Sequence, residues 1–156
     1  MLDLRRFSFG GPAAIVTSMG LIVGLDAATV TKAAVIESLL IIALADNLTD
    51  SLSVHIYQES ERLAERQALR NTVANFFTRL FTSSTFVIIL LFSRMSFAVY
   101  ACVIWGFVLL SGLSYLLAKA RRVDPVSEIV KHSAIAFIVI AVSRAIGVWV
   151  PILEHV

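Results

Sequence analysis

The sequence predicts an all-α membrane protein with five transmembrane helices, on three observations. Hydrophobic residues make up 58% of the 156-residue chain and charged residues only 15%, with a mean hydropathy of +0.87. A soluble domain of this size is about half apolar and a quarter charged. The charges gather in short stretches between five long apolar runs, the pattern of a chain that crosses a bilayer repeatedly. Lysine and arginine crowd alternate stretches, as expected when those loops share one side of the membrane.

The five spans are predicted at residues 12–30, 33–57, 72–92, 95–118 and 133–153, all in one membrane domain. A short head with Arg5 and Arg6 precedes the first. Pro12 suits a first helical turn, where a missing N–H leaves nothing unbonded. Gly20 and Gly24 form a small-xxx-small face that lets a second helix approach closely. The second span carries Glu37 near its outer end, close to Lys32. After it, ESERLAERQALR (residues 59–70) has no Gly or Pro. Its residues favour helix, so the second helix is expected to continue past the membrane surface. The third span carries Arg79, whose long stem allows it to reach the interface. Ser93 and Arg94 form a very short turn, which makes the third and fourth helices antiparallel neighbours. The fourth span ends in a basic loop with Pro125 as breaker, and Arg144 stands near the middle of the fifth.

Arg5, Arg6, Arg62, Arg66, Arg70, Lys119, Arg121, Arg122 and Lys131 fall on one side of this layout, against Lys32 and Arg94 on the other. The positive-inside rule then places the N-terminus in the cytosol and the C-terminus outside. The arginines lack the aromatic interleaving of a nucleic-acid surface, so no nucleic-acid partner is expected. Cys102 is the only cysteine, which leaves no intramolecular disulfide. Enzyme signatures and phosphate-binding glycine loops are missing, and no resident cofactor is implied.

The chemistry concentrates in ADNLTDSLSVHIYQESE, residues 45–61. Asp46 and Asp50 are four residues apart and share one helix face. Ionisable groups at such depth are costly and mark a pathway, a paired charge or a site. Asp46, Asp50, Asn47 and Ser53 offer carboxylate, amide and hydroxyl oxygens, suited to hard or borderline divalent cations such as Fe²⁺ or Mn²⁺. Glu61 and Glu65 continue the face towards the cytosol as an approach for cations. Counted along the helices at about 1.5 Å per residue, Asp46 and Arg144 lie at similar depth, about 18 and 17 Å. Arg144 is therefore the expected counter-ion. A fixed ion pair that only holds the bundle together fits the same residues.

Several stretches carry a family resemblance. FGGPAAIVTSMGLIVGL (residues 9–25), LADNLTDSLSVHIYQESE (residues 44–61), RNTVANFF (residues 70–77) and KARRVDPVSEIVKHSAIAFIVIAVSRAIG (residues 119–147) resemble, in order, segments of the vacuolar iron transporter family. The family's acidic residue of the second helix falls on Asp46 and its serine on Ser53. Its first-helix aspartate falls on Ala13 and its methionine on Val54. The resemblance implies a homodimeric, proton-coupled exporter of cytosolic divalent metal, of iron or manganese type, without the family's cytosolic metal-gathering domain. A prokaryotic plasma membrane is the expected location. A non-transporting scaffold or partner subunit with the same fold is the alternative, as is a carrier of another substrate, such as an anion drawn to Arg144.

Overall fold

The computed structural model describes residues 10–61 and 64–153. The basic head with Arg5 and Arg6, and Arg62, lie outside the described residues. Five α-helices and no strand occur among them: α1 (Gly11–Ala27), α2 (Lys32–Ser60), α3 (Glu65–Phe92), α4 (Met95–Arg121) and α5 (Pro125–Leu153). Three of these, α3, α4 and α5, are long and apolar enough to cross a membrane, and they mark a membrane protein. α1 is apolar but only 17 residues long. α2 has the length, but Glu37, Asp46 and Asp50 interrupt it.

Local chemistry explains most helix ends. Pro12 stands in the first turn of α1. The Thr31 hydroxyl accepts from the Ala34 N–H at 3.3 Å and caps α2. Asp124 caps α5 by accepting from the N–H of Ser127 at 2.9 Å, with Pro125 in the first turn. α1 and α4 close in the same way. Val30 N–H reaches Leu25 O, and Val123 N–H reaches Ala118 O, over residues with positive φ, Thr29 and Arg122. Lys32 donates to the carbonyls of Leu91 and Ser93, so it caps the end of α3.

One boundary departs from expectation. α2 stops at Ser60, and residues 65–70 begin α3 instead of extending α2. Two long antiparallel helices therefore meet near Glu61 and Ala64. The Ser93–Arg94 turn behaves as expected: α4 returns along α3, with the Trp105 Nε1–H donating to Thr85 Oγ1 at 3.0 Å.

α1 is the central helix and packs against each of the other four. Its residues Ile15, Met19, Ile22 and Val23 fill the core with Leu39, Phe86, Leu90 and Leu110. The Gly20–Gly24 face does accept a close helix, and that helix is α5 of the same chain. A Cβ on Gly20 or Gly24 would meet Ser143, and one on Gly147 would strike the carbonyl of Gly24. This face is thus already covered within one chain. α2 packs mainly on α3 and less on α1, and it leaves its outer side open.

The α1–α5 contact is sensitive to one methyl group. Gly147→Ala should lower stability by about 1–3 kcal/mol through overpacking against backbone. Gly112→Ala is the control, since nothing lies within 4 Å of its Cβ position; it should be neutral or gain up to about 1 kcal/mol. Thermal unfolding of both variants in detergent checks this, and equal melting temperatures would contradict it.

Candidate functional site

α2 and α3 meet along a seam that changes character part-way. At one end it is apolar, with Val35, Leu39, Phe86 and Leu90 buried. From Ser83 and Asn47 onward it is polar: Asn47, Ser51, Gln58, Asn75, Arg79 and Ser83 are all buried. Over the same stretch the outer surface is apolar, with Leu48, Leu52, Ile56, Leu69, Val73 and Phe77 exposed. Polar inside and apolar outside is the arrangement that lipid, not water, stabilises.

The register follows from the turn. Asn47 lies 14 residues before Glu61, and Arg79 lies 14 after Glu65. Arg79 therefore arrives opposite the aspartates. It is 2% exposed. Its Nε–H donates to Asn47 Oδ1 at 2.8 Å. Nη2 pairs with Asp46 Oδ2, and Nη1 lies 3.2 Å from Asp50 Oδ2. Nη1 also donates to the Gly10 carbonyl at 3.3 Å. One guanidinium thus ties the start of α1 to α2 and α3. Asn75 completes the group, its Nδ2 donating to Asp50 Oδ2 at 2.9 Å and to Ser51 Oγ at 3.3 Å. Gly10 has to be glycine here, because a Cβ would strike both Asn75 Oδ1 and the Arg79 stem.

The charges are unequally shielded. Asp46 remains 46% exposed and Asp50 35%, while their arginine is buried. Two carboxylates and one guanidinium leave the cluster with a formal charge of −1. Further along the seam, Thr72 Oγ1 meets His55 Nδ1 at 3.3 Å, and Asn71 Nδ2 donates to Gln58 Oε1 at 3.3 Å.

The structure brings together Asp46, Asp50 and Asn47, puts another arginine in the place expected of Arg144 and leaves Ser53 outside the group. The counter-ion is Arg79, which turns inward and does not reach for the interface. Arg144 is exposed on α5. Ser143 faces α1, and the next residue is about 100° further round the helix, which directs Arg144 outward. Equal depth says nothing of direction. Ser53 is exposed and its hydroxyl is spent on the Thr49 carbonyl at 3.0 Å. Glu61 and Glu65 are exposed on either side of the α2–α3 turn. Lys32 serves the end of α3 and not Glu37.

Among the described residues no three His, Cys, Asp or Glu side chains lie close enough to hold a metal ion. Three hollows of about 260, 370 and 430 Å³ are apolar clefts on the outer surface. Asp46 borders a much smaller crevice, lined also by Thr17, Ser18, Asn47 and Ser83 and by the apolar Ala14, Leu39, Ile42 and Ala43. No protein-family model matches the chain, and no curated protein or solved structure does either.

The unequal shielding sets the order of mutational costs. Asp46→Asn with Asp50→Asn leaves a buried guanidinium without a carboxylate and should cost about 3–5 kcal/mol. Arg79→Gln leaves acids that are already half-exposed, and should cost less. The triple variant should be milder than the aspartate double, which a mutant cycle reads as coupling. Arg144→Gln should stay within about 0.5 kcal/mol. Denaturation in detergent tests the order; an Arg144 effect larger than that of Arg79 would reverse the assignment.

Proposed function

We propose that this chain is a membrane transporter of the vacuolar iron transporter type, with five spans, a cytosolic N-terminus and an external C-terminus. Its cargo is a divalent metal cation of iron or manganese type, exported from the cytosol in exchange for protons. Asp46 and Asp50 are the cation- and proton-carrying groups. Glu61 and Glu65 attract cations at the cytosolic mouth, and a homodimer covers the open side of α2 in a prokaryotic plasma membrane.

The observation that carries this reading is the exposure of the acids. Here the base is buried while both acids stay partly exposed, midway along an exposed apolar stretch from Ile41 to Ile56. Ionised groups at such a position favour a pathway. A cation or a proton arriving at Asp46 competes with Arg79 for the same carboxylate. Arg79 is then an internal counter-ion that keeps the empty site from being a bare pair of like charges.

A second reading has its own support. Arg79, on α3, bonds α2 and the start of α1 at once, as a fixed strut in a non-transporting scaffold would.

Uptake of Mn²⁺ and Fe²⁺ into proteoliposomes separates the two. The transporter reading expects flux in the wild type, loss by at least about ten-fold in Asp46→Asn or Asp50→Asn, and faster flux with a proton gradient of the right sense. No flux of any divalent ion by folded wild-type protein would leave the scaffold.

A further inference from the structure

Asn47 is 1% exposed, and its amide is divided between two surroundings. The oxygen accepts from Arg79 Nε. A guanidinium has no acceptor, so the amide orientation is fixed by chemistry and only Oδ1 can face it. Nδ2 is therefore turned away, and it has no hydrogen-bond partner among the described residues. Asn47 lines the crevice together with Ser18, Ser83, Thr17 and Asp46. Ser18 and Ser83 are buried as well. The crevice has room for the centre of one water molecule, about 10 Å³, near the minimum a water needs.

These groups select their occupant. An orphaned N–H₂ needs an acceptor, and an unmade bond on a buried donor is costly. A water can accept from Asn47 and donate to Asp46 or a serine hydroxyl. A bare cation cannot, because the amide presents its positive end. We propose that Arg79 sets the polarity of this crevice. While its Nε holds Asn47 Oδ1, the crevice seats one water and disfavours a bare cation. Once the guanidinium leaves, Asn47 turns over about χ2, and its oxygen joins the Asp46 carboxylate as a ligand for a hard divalent cation. The two amide orientations have the same shape, so the turn needs no backbone movement.

The inference rests on the reading of the aspartates as cation ligands, but not on transport. Its test is therefore equilibrium binding of Mn²⁺, read by electron paramagnetic resonance on the full chain in lipid nanodiscs. Arg79→Gln should bind Mn²⁺ at least about ten-fold more tightly than wild type, the scale on which groups behind a ligand act. Part of that gain follows from charge alone. Asn47 is isolated by adding Asn47→Leu to Arg79→Gln, which should weaken binding by about ten-fold again. Equal affinity of the single and double variants would overturn the proposal, as would an Arg79→Gln protein that binds no better than wild type. Should Arg79→Gln fail to fold, Asn47→Asp with Asp50→Asn keeps the net charge, the arginine and an acceptor for it. It also replaces the orphaned N–H₂ by oxygen, so Mn²⁺ should bind more tightly than to wild type. Unchanged binding would overturn the proposal. Loss of the transport reading is seen separately, as absent flux by wild-type protein.

Discussion

A buried guanidinium needs its donors satisfied, and much of this structure is arranged to do so. Among the described residues Arg79 is the largest fully buried side chain. Taken from water without partners, such a charge would cost several kcal/mol. Asn47 Oδ1, two carboxylates and the Gly10 carbonyl supply acceptors from α2 and the start of α1. The need for a close carbonyl explains why α1 begins where it does and why residue 10 has no side chain. The same need fixes Asn47, and through Asn47 it leaves a donor facing the crevice.

The surroundings follow from that centre. The seam between α2 and α3 is polar only from Asn47 towards the turn, where Ser51, His55, Gln58 and Asn75 continue the network. Away from it the seam is an ordinary apolar contact, with α1 packed in glycine to glycine against α5. The bundle thus joins a tightly packed end, built by α1, α4 and α5, to a hydrogen-bonded hairpin. Buried hydrogen bonds between membrane helices contribute about 0.6 kcal/mol each on average, less than close packing distributes over a core. The hairpin is also the part that holds the acids.

Five helices and several of their ends were legible. Pro12 reads as a first turn and Ser93–Arg94 as a tight hairpin, whereas the caps at Thr31 and Asp124 were not legible and Pro125, expected to break a basic loop, opens α5. The importance of Asp46 and Asp50 was also legible, because carboxylates in an apolar run are rare. Their partner was not. No Gly or Pro marks the turn near residues 61–64, so propensity ran the second helix through to Arg70. That shift moves every cross-hairpin pairing. Had the turn been placed at 61–64, counting outward from it would have set Asn47 against Arg79. Depth along the membrane then pointed to Arg144, but depth leaves the direction round the helix open. Small residues at Gly20 and Gly24 announced a close helix without saying which; α5 was the answer.

The central claim is that Arg79 is locked between α2 and α3 and does not swing free. The direct measurement is nuclear magnetic resonance of the ¹⁵N-labelled guanidinium in wild-type protein in lipid. A guanidinium held by acceptors on Nε, Nη1 and Nη2 should show slow rotation about Nε–Cζ, distinct Nη signals and a slowly exchanging Nε–H. Asp46→Asn should speed the rotation. Averaged Nη signals and a rapidly exchanging Nε–H in the wild type would contradict the account.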